Sequence, residues 1–313
     1  MIKEEFYFDS RDGENRIHAV RYTPDDGNVR GIVQIVHGMA EYVERYENLA
    51  EFLTKRGILV TGEDHLGHGK SVSEGGSFGY FCEQDPATVV VRDVHRLKKI
   101  TEEQYPQVPY IILGHSMGSF IARNYLCRYG SGIGGAVIVG TGMQPAGLIF
   151  ASKAMAGIQK LFCGSKHVSH FIDKAAFGGY NKRIDSPRTS SDWLSRNTGN
   201  VDRYIEDELC GFTFTVNGFQ TLFELIRRLQ KQENLEKVPQ NLPILMVSGA
   251  EDPVGDYGKG VHKACDSLKR AGVKNITVKL YENDRHELLN EDDAEVAMED
   301  IWQWICKEIP GIA

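Results

Sequence analysis

The sequence predicts an α/β protein, a mostly parallel sheet of eight strands with helices on both faces and one helical insertion. Three observations carry this reading. Strand and helix patterns alternate from Gly31 to Val139, which calls for parallel strands joined by crossover helices that cover both faces. After Gly140 the alternation stops for about a hundred residues and resumes at Pro243. Within the first half, Pro109-Tyr-Ile-Ile-Leu-Gly-His-Ser-Met-Gly-Ser119 writes a buried strand, a Gly-x-Ser-x-Gly turn and a helix start in one line.

Taken in order, Glu5 to Phe8 and Arg16 to Tyr22 alternate in polarity around Asp12-Gly13 and predict an antiparallel hairpin. Strands are expected at Gly31–Val36, Ile58–Thr61, Tyr110–Leu113 and Gly135–Val139, and helices at Tyr46–Arg56, Val89–Gln104 and directly after Ser116. The interruption contains helical patterns at Leu148–Phe162 and Gly218–Gln232 but no succession of strands. It therefore reads as a cap over a site, not as an independent domain. The strand Pro243–Ser248, a helical pattern over Tyr257–Arg270 and the strand Asn275–Leu280 complete the sheet. The expected organisation is core over 1–140, cap over 141–241 and core again over 242–313.

Composition narrows the function. With 313 residues and 41% hydrophobic content the chain can bury a large core. A formal charge of -7 argues against nucleic acid as a partner, because binding phosphates requires a basic footprint. Acids in Met1-Ile-Lys-Glu-Glu-Phe6 replace the basic start of a signal peptide, and no stretch reaches membrane-spanning length, so a soluble cytoplasmic protein is expected. Cys82, Cys127, Cys163, Cys210, Cys265 and Cys306 lack Cys-x-x-Cys spacing and read as reduced, mostly buried thiols.

The turn makes Ser116 the candidate nucleophile, since a sharp strand-to-helix turn with flanking glycines exposes a hydroxyl above the sheet. A serine needs a base within hydrogen-bond reach and an acid to orient that base. Both are expected downstream at the C-terminal ends of strands, the acid first. Asp252, past a strand and before Pro253, is favoured as the acid over Glu251, Asp256 and Asp284. His286, between the last strand and the helix start expected at Asn290-Glu-Asp-Asp293, is favoured as the base over His262, which lies in a helical pattern. The backbone N–H groups of Met117 and Met39 are the candidate oxyanion donors; Met39 follows the strand that ends at Val36-His37-Gly38. Activity should then fall as pH drops through the histidine titration.

No metal or cofactor is called for. His37 reads as a structural histidine at a strand end. His65 and His68, three apart among glycines that disfavour a helix, read as a tight loop with no third ligand nearby.

These residues resemble the serine α/β-hydrolases, in the monoacylglycerol lipase and lysophospholipase-like branch of bacterial type. The resemblance runs in order through His37-Gly-Met-Ala-Glu41, Asp64-x-x-Gly67-x-Gly69-x-Ser71, Gly114-His-Ser-Met-Gly118, the Asp252 turn and His286-x-Leu288-x-Asn290-Glu291, and covers nearly the whole chain. Asp192-Trp-Leu-Ser-Arg196 and Asp207-Glu-Leu-Cys-Gly-Phe212 look like cap segments of that branch, with Glu208 where proline is frequent. The resemblance implies hydrolysis of carboxylic esters of lipid type, a monoacylglycerol or lysophospholipid, through an acyl-serine intermediate and without a cofactor. The alternatives are a short-chain carboxylesterase, a proline-iminopeptidase-like serine peptidase, or a non-catalytic ligand-binding protein of the same fold. Aspartate-nucleophile dehalogenases and epoxide hydrolases are excluded by Ser116.

Between Lys153 and Arg196 the bases Lys153, Lys160, Lys166, Lys174, Lys182, Arg183, Arg188 and Arg196 face only Asp173, Asp185 and Asp192, against the acidic balance of the whole. With the apolar Leu148, Ile149, Phe150, Met155, Ile158, Leu161 and Phe162, this suggests contact of the cap with lipid surfaces or with anionic acyl substrates. The favoured alternative is that the apolar residues cover the site and the bases form a solvated face.

Overall fold

The computed structural model describes residues 1–312 as a single eight-stranded sheet in the order β1-β2-β4-β3-β5-β6-β7-β8. The strands are β1 (Ile2–Asp9), β2 (Arg16–Thr23), β3 (Gly31–Val36), β4 (Ile58–Glu63), β5 (Tyr110–His115), β6 (Gly135–Val139), β7 (Ile244–Gly249) and β8 (Ile276–Tyr281). β1 and β2 form the expected antiparallel hairpin, with Ile2 opposite Thr23 and Asp9 opposite Arg16, and β2 also runs antiparallel to β4; every other pairing is parallel.

Side chains of the central strands divide by parity, as a pleat requires. Val33, Ile35, Val60, Ile111, Leu113, Val137 and Val139 face helices α1 (Glu47–Thr54) and α10 (Ala294–Glu308). Ile32, Leu59, Ile112, Ile138 and Met246 face α2 (Pro86–Gln104), α3 (Met117–Tyr129) and α9 (Lys259–Arg270). The middle strands are buried along their whole length, which is why they read as apolar runs and not as alternating ones.

Between β6 and β7 lie α4 (Ala146–Cys163), α5 (His170–Phe177), α6 (Thr198–Glu206), α7 (Val216–Leu229) and α8 (Gln232–Leu235); the one β-contact among the described residues there is an isolated Val168–Thr215 bridge. α7 presents Phe219, Leu222, Phe223 and Ile226 to the hydrophobic cluster that holds Phe120 and Ile121 of α3. The inserted helices thus share the sheet's core. No helix among the described residues is long and apolar enough to cross a membrane.

Two expectations differ from the structure. α9 begins at Lys259, because Asp256 and Tyr257 take left-handed backbone angles (φ 48° and 55°) that cannot continue into a helix. Asn290-Glu-Asp-Asp293 is not an acidic first turn: α10 starts at Ala294 without a side-chain cap, and Glu291 is drawn away to other partners. The cysteines are all free, but Cys163 at the end of α4 is exposed and only Cys82, Cys210 and Cys265 are fully buried.

Candidate active site

Ser116 sits between β5 and α3 at φ 54°, ψ −120°, a conformation L-residues rarely adopt. Two features hold the strain. The Ser116 N–H donates to the Val139 carbonyl at 3.0 Å, and α3 begins immediately so that the Ser119 N–H bonds back to the Ser116 carbonyl at 2.9 Å. The turn is so tight that a Cβ on Gly118 would lie 1.9 Å from the Val36 carbonyl oxygen, and one on Gly114 would lie 2.4 Å from the Gly118 oxygen. Ser116 is thereby lifted, half-buried, into a cavity of about 810 Å³ under the inserted helices.

His286, from the loop after β8, lines the same cavity and is buried. Its Nδ1 lies 3.0 Å from Oδ2 of Asp252, from the loop after β7. Asp252 is fully buried and accepts further hydrogen bonds from Ser248 Oγ (3.1 Å) and the Val254 N–H (2.8 Å). A buried carboxylate so placed holds the proton on Nδ1 and leaves Nε2 as the basic nitrogen. The competitors do not pair with His286. Asp284 pairs with Arg196, Glu251 is exposed, Asp256 lines the cavity but is exposed and makes no bond to His286 among the described residues, and His262 is on the outer face of α9.

Met39 and Met117 also line the cavity, and among the described residues neither amide has a hydrogen-bond acceptor. The loop carrying Met39 is aimed by the histidines. The His65 N–H donates to His37 Nε2 (3.0 Å), so the His37 proton is on Nδ1, which donates to the Gly38 carbonyl (2.8 Å). In a trans peptide the next N–H points the opposite way, which turns the Met39 amide away from His37. Burial lowers the His37 pKa and keeps it in this neutral form. His65 packs against His37 at 4.0 Å between ring centroids, and His68 gives its Nδ1 to the Leu66 carbonyl; both are pushed down by burial as well.

Beneath these residues lies a buried ionic network that sequence reasoning missed. Glu41 Oε1 accepts from the Gly38 N–H (2.6 Å), Tyr46 OH (2.7 Å) and His115 Nδ1 (3.2 Å), while Oε2 accepts from Arg45 Nη1 (2.7 Å). His115 Nε2 reaches the His286 carbonyl at 3.2 Å. His115 Nδ1 also meets the Tyr46 hydroxyl at 2.8 Å, so both His115 nitrogens have oxygens able to accept from them, which suits the imidazolium. Burial alone would lower its pKa, but the hydrogen bond and charge of Glu41 outweigh burial and raise it. Burial likewise opposes ionisation of Glu41, yet His115 and Arg45 hold its carboxyl well below the usual range. Arg45 continues to Glu287 through a fork of 2.8 and 2.7 Å, and Glu287 takes the Asn200 amide at 2.6 Å. The readable signals were Glu41 and Arg45 four apart, and an acid directly after His286.

Two segments of the insertion singled out in the sequence, Asp192–Arg196 and Asp207–Phe212, are bolts between the inserted helices and the site loops. In the first, the Glu287 N–H donates to the Leu194 carbonyl (2.7 Å) and Arg285 donates to the Asp192 and Ser195 carbonyls. Glu291 completes it by accepting from Ser195 Oγ (2.7 Å) and the Arg196 N–H (2.8 Å). In the second, Tyr42 OH donates to Asp207 (2.8 Å) and the Gly211 N–H to the Ala40 carbonyl (3.0 Å). α4 behaves differently: Leu148, Ile149 and Met155 line the cavity, but Phe150, Leu161 and Phe162 are 77%, 83% and 85% exposed, so the helix is apolar on both sides.

The chain is similar to known proteins over most of its length. The family described as Serine aminopeptidase, S33, matches residues 27–293. Monoglyceride lipase of Rattus norvegicus is 29% identical over 273 residues, 87% of this chain and 80% of that protein. Monoacylglycerol lipase of Mycolicibacterium smegmatis is 27% identical, with 92% of each chain covered. Among solved structures, a thermostable carboxyl esterase from Bacillus coagulans superposes with a TM-score of 0.92 at 31% identity over the whole of both chains. The chain belongs to the serine aminopeptidase S33 family of α/β-hydrolases.

Proposed function

We propose that the chain is a serine hydrolase of carboxylic esters of lipid type, with monoacylglycerols or lysophospholipids as the substrate class. The observation that carries this is the meeting of Ser116, strained at φ 54°, with the His286–Asp252 pair in one cavity walled by Met39, Phe120, Leu148, Ile149, Met155, Leu222, Phe223 and Ile226. Such walls accept an acyl chain; Asp173, Lys174, Asp256 and Lys263 also line the cavity, which is why a peptide-like substrate belongs in the test.

In this reading His286 Nε2 takes the Ser116 proton as Oγ attacks the ester carbonyl, and Asp252 stabilises the imidazolium from Nδ1. The Met39 and Met117 amides hold the oxyanion, each worth about 3 kcal/mol of barrier. His286 returns the proton to the leaving alcohol, and water releases the acid by the same steps in reverse order. Residues 1–140 and 242–313 act as the core and 141–241 as the cap. The outward apolar face of α4 supports contact of that cap with a lipid surface. Vesicle co-sedimentation that is indifferent to lipid and to salt would remove that contact.

The decisive experiment is a profile of glyceryl and p-nitrophenyl esters over a range of chain lengths, beside a prolyl arylamide. Ser116→Ala serves as the control. Long-chain monoacylglycerols should be turned over, with a loss of at least about a thousandfold in Ser116→Ala. Preference for acetyl or butyryl esters would indicate a short-chain esterase, and arylamide cleavage a peptidase. Undiminished turnover by Ser116→Ala would defeat the mechanism.

A further inference from the structure

A second cleft of about 220 Å³ lies behind the wall formed by Tyr180 and Trp193, whose rings meet edge to face at 4.8 Å. Trp193 faces His286 on its other side, with 5.1 Å between ring centroids. The cleft draws Arg183 and Arg196 from the inserted segment, Tyr257 from the acid loop and Arg285 from the histidine loop. Its polarity is unlike that of the acyl cavity.

The three guanidinium groups are not equally neutralised. Arg196 already pairs with Asp284 and, at 3.3 Å, with Asp293, although its buried Nε has no acceptor. Arg285 spends Nη1 on two backbone carbonyls and has no carboxylate partner within 4.0 Å among the described residues. Arg183 is exposed and makes no hydrogen bond or ion pair there; it rests on the face of Tyr257 at 3.5 Å, which fixes its plane while leaving its donors unengaged. Among the described residues Glu251 is the one carboxylate that lines the cleft, and its side chain has no ion-pair partner there. With Asp284 and Asp293 matched to Arg196 the local charges balance, so what distinguishes the cleft is that Arg183 and Arg285 keep guanidinium donors free of any carboxylate in a concave site.

We propose that this cleft is a binding site for a phosphate-type oxyanion. The planar guanidinium fork matches two oxygens on one phosphorus, and Arg183 and Arg285 approach from separate loops, so one group with several oxygens can engage both. The volume suits a phosphate with a small substituent and is too small for an acyl chain. The same chemistry has two sources, the phosphodiester of an ester substrate's headgroup or a free phosphate acting on the cavity through the Tyr180–Trp193 wall. The choice between the two sources rests on the hydrolase reading given above; the binding site itself does not.

The test uses the full chain and inorganic phosphate, followed by tryptophan fluorescence and by calorimetry at constant ionic strength, with chloride and acetate as reference anions. Saturable phosphate binding is expected, with a fluorescence component that disappears in Trp193→Phe. Arg183→Gln should weaken binding about tenfold or more, Arg183→Lys less, and Glu251→Gln should tighten it because an opposing charge is gone. Phosphate that binds no better than chloride or acetate, or Arg183→Gln that binds like the unmodified protein, would overturn the site. The sources separate kinetically. A headgroup site predicts a raised KM for lysophosphatidylcholine in Arg183→Gln with monoacylglycerol hydrolysis unchanged. A free-phosphate site predicts that phosphate alters monoacylglycerol hydrolysis and that Arg183→Gln abolishes the effect. If no ester is hydrolysed at all, the calorimetric result still decides the site.

Discussion

Replacing Glu41 by glutamine keeps the shape of the side chain and removes its charge, so it isolates what the buried network contributes. The carboxylate, 3% exposed, accepts from four donors: the Gly38 N–H, Tyr46 OH, His115 Nδ1 and Arg45 Nη1. A glutamine has one acceptor oxygen and must point an NH2 at donors, leaving at least one of them unsatisfied beside two buried cations. Breaking a buried pair from one side costs about 3–5 kcal/mol. Urea unfolding should register most of that loss.

The pH dependence carries a sign. The folded-state pKa of His115 is raised, so its contribution is full below about 6.5, the value of an unperturbed histidine, and is lost as pH rises through the folded value. That of Glu41 is depressed, so its contribution is full above about 4.5 and is lost only in acid. The gap between wild type and Glu41→Gln should therefore be widest between about pH 4.5 and 6.5 and narrower at pH 8.5. Ester hydrolysis should fall roughly tenfold, mainly in kcat, because the Gly38 N–H loses its anchor and with it the loop whose Met39 amide is proposed to hold the oxyanion. An unfolding free energy within about 0.5 kcal/mol of wild type at both pH values would refute the reasoning.

Two further outcomes follow from single positions. Gly118→Ala must drive a methyl into the Val36 and His37 carbonyls, at 1.9 and 2.5 Å, and should leave little soluble folded protein, whereas Gly147→Ala in α4 meets nothing within 4 Å and should leave the melting temperature unchanged or slightly higher; equal thermal melts for the two variants would show that the elbow has room. Asp93, buried beneath the β1–β2 turn where it accepts from Ser10 Oγ (2.8 Å) and the Arg11 N–H (2.6 Å), has its pKa pushed up by burial to about 7. Its raised folded value means that the unfolded chain releases this proton first, so stability should decline from about pH 4 to about pH 7 and the decline should be smaller in Asp93→Asn; parallel stability curves for the two proteins would contradict this.

What could be read from the sequence was local in character. The Ser116 turn, the Asp252 loop and the His286 loop each follow an apolar strand, and parallel strands deliver their C-terminal ends to one edge of the sheet. The supporting network could not be read that way. Arg45 and Glu287 are 242 residues apart, and nothing about either predicts the other. Asn290 to Asp293 resembled a helix start because the acidic pattern is the same, but Ser195, Arg196 and Arg285 claim the Glu291 carboxylate for a long-range contact. The start of α9 was misread because Asp256 and Tyr257 occupy left-handed angles that their residue types do not advertise. Apolar composition allowed α4 either to cover the site or to meet a lipid surface, and only the fold separates the side that lines the cavity from the side that stays outside.

The segments Asp192–Arg196 and Asp207–Phe212 fasten the insertion to the loop that carries His286 and to the loop that carries Met39, while among the described residues no hydrogen bond or ion pair joins α4 or α5 to either loop. Residues 146–177 are held instead by α7 and the residues just before it, through Lys153–Glu224 and the backbone bonds of Ser165, His167 and Ser169 to Asn217, Val216 and Phe214. Substitutions at Leu148, Ile149 and Met155 would therefore reshape one wall of the cavity while leaving in place the bonds that position His286 and Met39, which gives natural drift and deliberate redesign a place to act away from those two residues.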